Sequence, residues 1–102
     1  MNFDVEFSIE GQYGGEEYDG LMETKGKFYL FESQIIFGDI NRWYKLNIED
    51  IDDIVSISNK QKVMLKFSEF NVLLYCDNYS HLRALRDYIY ITKYSEKMDQ
   101  SA

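Results

Sequence analysis

Proline is absent from this chain, glycine is scarce, and cysteine and histidine occur once each. The lack of proline and the presence of only 6 glycines argue against a linker or a low-complexity chain. With Cys76 alone, neither an intrachain disulfide nor a cysteine-based zinc site can form. His81 alone offers little toward a metal site or a catalytic triad. We therefore predict no cofactor, no metal site and no enzymatic activity.

Long apolar segments are missing as well. No run approaches the roughly 18–20 residues that a membrane span needs. The N-terminal stretch, MNFDVEFSIE, lacks the basic start and the apolar run of a signal peptide. The simplest interpretation is a soluble protein of the reducing cytoplasm.

Basic residues are outnumbered, 11 to 18, which leaves a formal net charge of −7. A duplex-binding module needs a basic stripe that displaces counterions from phosphates, so nucleic acid is not expected as a partner. An anionic membrane surface is disfavoured for the same reason. The charge favours instead another protein or peptide, and in particular one with a basic surface.

The residues that are present suffice for one hydrophobic core, since 45% are hydrophobic and 17% aromatic. Because domains of roughly 100–150 residues are the common size, the chain is predicted to form a single domain at 1–97. Residues 98–102 are predicted to be a disordered tail.

Most of the chain alternates apolar and polar residues, the period of two that indicates half-buried strands. In the first segment, Phe3, Val5, Phe7 and Ile9 share one side. The glycine-rich stretch at 11–26 is predicted to be a long loop. The alternation predicts seven strands, at 3–10, 26–32, 34–38, 42–48, 53–58, 62–68 and 71–76.

The period then changes to that of a helix. Leu82, Leu85 and Ile89 recur at helical spacing, and Asp77, Asn78 or Ser80 can cap the start. We predict an amphipathic helix at 79–96. Strands followed by one helix predict a mainly β fold, a seven-stranded antiparallel barrel or sandwich capped by a C-terminal helix.

The stretch KLNIEDIDDIVSI at 45–57 carries four carboxylates and admits three interpretations: a metal-binding cluster, a helix, or a corner between two strands. The β-branched residues disfavour a helix, and both flanks alternate at period two. A calcium loop needs a glycine and a glutamate at fixed positions, and no such register exists here. We therefore predict a solvated corner at 49–53 whose Ile51 packs into the core.

Exposed tryptophan is over-represented at binding hot spots. By the alternation of its strand, Trp43 shares a face with Lys45 and Asn47, and either this face is exposed or a loop covers it. Tyr29 and Phe31 pose the same question in their strand. The candidate partner-binding residues are Trp43, Lys45, Tyr29, Phe31, Arg83 and Arg86.

Two segments carry a resemblance to a known family. KGKFYLFESQIIF is similar to the strand–turn–strand of pleckstrin-homology-like (PH-like or GRAM-like) domains, and KLNIEDIDDIVSI resembles their corner, with Asn47 in place of a frequent proline. The resemblance covers about 25–94. It implies a PH-like barrel with a C-terminal helix.

The same segments are similar to the PH-like part of the archaeal taxis adaptor, which links signalling proteins to the motility motor. Lipid-binding PH-like members carry basic residues across their first strand pair and its loop. Here that region holds five acids instead: Glu10, Glu16, Glu17, Asp19 and Glu23. The resemblance therefore points toward protein binding more than toward headgroup binding.

Three functional hypotheses follow. The leading one is an adaptor or scaffold that binds a protein or peptide through the Trp43 face, or through a groove between an exposed strand edge and the helix. The third is a small enzyme or ligand-binding barrel. Homodimerisation is compatible with each of the three. The lipid hypothesis, which ranks second, is a lipid-headgroup or membrane-surface domain, and it requires a cluster of basic residues: Lys25, Lys27, Arg42, Lys45, Lys60, Lys62 and Lys66.

Overall fold

The order of elements is eight strands, one short turn of 3-10 helix between the fifth and the sixth, and one C-terminal helix. The computed structural model describes residues 1–57, 59 and 61–101. The predicted mainly β class with a helix at its C-terminal end is confirmed. The bounds are β1 Asn2–Tyr13, β2 Glu16–Asp19, β3 Thr24–Phe31, β4 Gln34–Gly38, β5 Trp43–Asn47, the 3-10 turn Ile48–Asp50, β6 Asp53–Ile57, β7 Lys62–Lys66, β8 Phe70–Tyr75 and α1 Tyr79–Ser101.

All eight described strands belong to one antiparallel sheet that curls into a half-barrel. Seven of them follow the order β5-β4-β3-β1-β8-β7-β6, and β2 pairs only with β1. β1 holds the two halves together, because residues 2–7 pair with β3 and residues 6–11 pair with β8 on the other side. β5 and β6 lie at the two ends of this order. The half-barrel is therefore open between these two strands.

The prediction of a long loop at 11–26 was wrong at most positions, since strands cover all of it except 14–15 and 20–23. β1 continues to Tyr13 and forms a hairpin with β2, in which Tyr13 lies opposite Glu16. Gly14 and Gly15 connect the two strands with φ angles of +61° and +82°. Two left-handed residues are what a two-residue hairpin turn requires, and glycine adopts them at little cost.

The core lies between the concave face of the sheet and α1. Leu82, Leu85 and Ile89 are completely buried, as their helical spacing predicted. The side-chain oxygen of Asn78 accepts a hydrogen bond from the backbone N–H of Ser80 (3.1 Å) and caps the helix. The helix begins at the predicted residue and reaches Ser101, past the predicted end at 96.

The acidic stretch is a corner, as predicted. Ile51 is only 1% exposed, and its N–H donates to Ile48 O (3.1 Å) to close the 3-10 turn. The Lys93 ammonium donates to Ile51 O, which attaches the helix to the corner. Ser58, where one strand was predicted to end, and Ala102, in the predicted tail, lie outside the described residues.

Candidate functional site

The convex face of β3, β4 and β5 carries a group of exposed apolar side chains. Tyr29 on β3 lies opposite Ile36 on β4, which lies opposite Lys45 on β5. Phe31 and Trp43 are on the same face, because residues two apart in a strand point to the same side. We call Tyr29, Phe31, Ile36 and Trp43 the aromatic face.

The aromatic face is open to solvent. Phe31 is 68% exposed, Trp43 51% and Tyr29 39%, so no loop covers the tryptophan. The rings of Tyr29 and Trp43 contact each other at a centroid distance of 6.0 Å. A Cβ atom on Gly38, opposite Trp43, would lie 3.0 Å from the indole, so glycine lets this ring lie close to the sheet.

The charges on the convex face are nearly balanced, although the chain as a whole is acidic. Lys25 pairs with Glu6 (3.8 Å), and Lys27 pairs with Asp4. Lys45 is exposed beside the aromatic face and forms no ion pair within the part of the chain that the structure describes. Lys45 thus supplies a cation beside the apolar surface.

Two of the predicted partner-binding residues lie elsewhere, on α1. Arg83 is exposed, while Arg86 is half-buried beside β6, where it donates to Ser56 Oγ (3.3 Å) and pairs with Asp87 (3.3 Å). The structure therefore brings four of the six candidates together on one face and places the two arginines on the helix, with Arg86 at the opposite end of the sheet.

A second feature is the free edge of β5. Ile48 N donates to Ser33 O (2.8 Å) at the end of the β4–β5 ladder. In an antiparallel ladder the main-chain groups of alternate residues point to the same neighbour, so the N–H and C=O groups of Trp43 and Lys45 and the N–H of Asn47 point away from β4. The Asn47 carbonyl belongs to the 3-10 turn, which Asn47 caps. No strand pairs with this side of β5 in the described sheet.

A groove of about 490 Å³ runs along this edge, and we call it the edge groove. One wall is aromatic: the Phe67 and Phe70 rings stack at 4.6 Å, and Tyr13 contacts Phe70 at 5.0 Å. This wall could not be predicted from the sequence, because its residues come from distant strand ends. The lining residues are Tyr13, Lys45, Leu46, Asn47, Glu49, Asp50, Asp52, Phe67, Ser68 and Phe70.

Four of the seven basic side chains of the predicted headgroup cluster are paired with acids. Besides Lys25 and Lys27, Lys62 pairs with Glu23 (3.2 Å) and Arg42 pairs with Glu16 (3.0 Å). Lys60, which was part of the predicted cluster, lies outside the described residues.

Arg42 also lies over the rings of Tyr18 (5.7 Å) and Tyr44 (5.0 Å). The Arg42 guanidinium and the Tyr18 hydroxyl both donate to Glu16, and they lower the pKa of this carboxyl below its ordinary value. Burial, together with the bond to Glu16, raises the pKa of Tyr18 to about 12. Arg42 therefore serves to hold the β1–β2 hairpin against the β4–β5 turn.

Cys76 has a neighbour that the sequence analysis did not assign to it. The Nδ1 atom of His81 lies 3.7 Å from the Cys76 sulfur, and the thiol donates to Asp4 O (3.4 Å). Burial raises the pKa of the Cys76 thiol. A catalytic cysteine requires the opposite shift, because the thiolate is the nucleophile. The pair is thus arranged as a packed thiol beside an imidazole.

The described residues contain no group of three or more histidine, cysteine, aspartate or glutamate side chains placed to hold a metal ion. In the same part of the chain, no helix is long and apolar enough to cross a membrane. No protein-family model, no curated protein and no solved structure matches the chain.

Proposed function

We propose that this protein is a non-catalytic interaction module, an adaptor or scaffold of the PH-like class, that binds another protein or peptide. The observation that supports this proposal is the exposed aromatic face beside Lys45. Large aromatic residues with a polar handle dominate the energetics of protein interfaces. The similarity of two segments to the archaeal taxis adaptor suggests a signalling or motility pathway.

The aromatic face suits binding because its side chains are displayed on a sheet. Tyr29 and Trp43 are held by their mutual ring contact and by paired strands, so they lose little freedom when a partner docks. Their exposed fractions, with that of Phe31, amount to roughly 300 Å², which falls within the size of functional patches on monomeric proteins. Burial of this area would contribute several kcal/mol to binding, at about 25 cal/mol per Å².

The size of the patch favours a short segment over a large rigid partner. A standard interface buries about 800 Å² on each side, more than twice the area of the aromatic face. A peptide, or one element of a partner, needs no more surface than this. The ion pairs made by Lys25, Lys27, Arg42 and Lys62 argue against headgroup binding as the main function.

The experiment is a capture from an extract of the source organism with the wild-type protein and three variants. Phe31→Ser and Trp43→Ala remove the aromatic face, and Ile91→Ser is the matched control, since Ile91 is 65% exposed on α1. We expect at least one protein that the wild type and I91S retain and that F31S and W43A lose. If every captured protein is retained equally by the wild type and by all three variants, the proposal is refuted. Sedimentation with anionic vesicles at low salt tests the lipid alternative directly.

A further inference from the structure

We propose that the edge groove binds an extended, basic peptide segment, which adds to the free edge of β5 as a further antiparallel strand. This inference rests on the proposed function, because it names the class of partner and the place where it binds. Three properties of the groove support it: unpaired main-chain groups, an aromatic wall and uncompensated carboxylates.

The main-chain groups on the free edge of β5 determine the conformation of the occupant. The N–H and C=O groups of Trp43 and Lys45 and the N–H of Asn47 point into the opening between β5 and β6, and Lys45 and Asn47 line the groove itself. An exposed strand edge accepts an extended chain through such groups. β5 has five residues, which at about 3.3 Å each offer about 17 Å of edge. The occupant is accordingly a stretch of about five extended residues.

The aromatic wall decides what the occupant's inward side chains meet. Phe70 is flanked by Tyr13 and by Phe67, and all three residues line the groove. In an added strand, alternate side chains point into the groove and the others lie on the convex face beside Trp43. The stems of lysine and arginine pack on aromatic rings, and their cations are attracted to the ring faces.

The charge of the groove decides the sign of the occupant. Glu49, Asp50 and Asp52 line the end at the corner, and their nearest described polar contact is a long one, from Asn47 Nδ2 to Asp50 Oδ2 (3.5 Å). Within the described residues, no lysine or arginine pairs with any of the three carboxylates. Lys45 is the one basic residue in the lining, so the groove is net negative. A cationic side chain complements it and an anionic one does not.

The experiment is an NMR titration of the ¹⁵N-labelled full chain with a defined probe, acetyl-Val-Arg-Val-Arg-Val-amide. Its arginines share one side of an extended strand and its valines the other. We expect the amide signals of Lys45 and Asn47 to shift, and their hydrogen exchange to slow, as the probe adds to β5. The glutamate counterpart, acetyl-Val-Glu-Val-Glu-Val-amide, is expected to bind at least about tenfold more weakly.

Two protein variants of equal charge test the role of the carboxylates. Glu49→Gln/Asp50→Asn/Asp52→Asn removes the three groove carboxylates and is expected to weaken the arginine probe about tenfold. The control triple removes three exposed carboxylates outside the groove and is expected to bind the probe within about twofold of the wild type. The control substitutions are Glu10→Gln, Glu17→Gln and Asp77→Asn.

Several outcomes would overturn the inference. Equal weakening in the two triple variants would mean that only the overall charge matters. N-methylation of the central valine removes a main-chain donor from the probe. If the methylated and unmethylated probes bind equally well, strand addition is excluded. No shift at Lys45 and Asn47 up to about 2 mM probe would exclude the groove. The capture experiment separates this proposal from the proposed function: loss of a captured protein from F31S, together with no shift at Lys45 and Asn47 in the titration, would overturn this inference alone.

Discussion

The carbonyl oxygen of Gly38 lies 2.1 Å from the position that a Cβ atom on Gly26 would occupy. The same hypothetical atom would lie 3.1 Å from a ring carbon of Phe7 in the core. β3 and β4 therefore approach each other here so closely that the backbone leaves no room for a side chain at position 26. On its β5 side, Gly38 lies opposite Trp43, whose indole packs close to it. The contact between the two glycines therefore lies next to the aromatic face.

We predict that Gly26→Ala lowers the free energy of unfolding by about 2 kcal/mol or more, since a backbone carbonyl cannot move aside as a flexible side chain can. The measurement is urea denaturation followed by circular dichroism. Gly14→Asn is the control: nothing lies within 4 Å of its Cβ position, and asparagine tolerates the left-handed φ of +61°. We expect this control to change stability by less than about 1 kcal/mol. Equal effects at the two glycines would contradict the steric explanation.

The corner at 49–53 depends on Ile51, which is 1% exposed between the acidic side chains. Ile51→Ala leaves a cavity where the corner, the sheet and α1 meet, and we predict a loss of about 2–4 kcal/mol of stability. Ile91→Ala removes the same atoms from a side chain that is 65% exposed, and it should cost less than about 1 kcal/mol. Thermal unfolding of the two variants measures the difference. A loss at Ile51 as small as that at Ile91 would mean that the corner does not pack as described.

The sequence predicted those features that depend on local periodicity. The alternation of Phe3, Val5, Phe7 and Ile9 locates the buried side of β1, and the same rule places Trp43 and Lys45 on one exposed face. The β2 segment, EEYD, was missed because it has no apolar alternation and exists only through its pairing with β1. Pairing of this kind is a tertiary effect that short-range pattern does not carry.

The edge groove could not be predicted from the sequence, for a related reason. Its aromatic wall combines Tyr13, at the end of β1, with Phe67 and Phe70 around the β7–β8 turn. These positions are far apart in the chain and meet only because β1 pairs with β8. Periodicity assigns each residue to a side of its own strand, but it does not say which strand ends lie together.

Arg42 gives a prediction about pH. Its guanidinium, and next the Tyr18 hydroxyl, lower the pKa of Glu16 by hydrogen bonding to the carboxylate. A depressed pKa in the folded state stabilises the fold above the ordinary pKa, and this contribution is lost as the pH falls through the depressed value. We predict that Arg42→Gln raises the pKa of Glu16, measured by ¹³C NMR titration of its carboxyl carbon.

The control for this titration is Lys62→Gln, which removes a different ion pair, with Glu23 (3.2 Å). It should leave the titration of Glu16 unchanged. If both substitutions raise the pKa of Glu16 equally, then overall charge rather than the contact with Arg42 sets its value.

Cys76 offers a test of whether the protein carries nucleophilic chemistry. Because burial raises the pKa of its thiol, the folded protein holds less thiolate at pH 8 than an ordinary exposed cysteine does. We therefore predict that iodoacetamide alkylates Cys76 more slowly in the folded protein than in urea, by about tenfold or more. His81→Ala should not slow the reaction further, since the imidazole lies beside a neutral thiol. Alkylation at pH 6 that is faster than for free cysteine, and that His81→Ala abolishes, would instead indicate a thiolate–imidazolium pair and an enzyme.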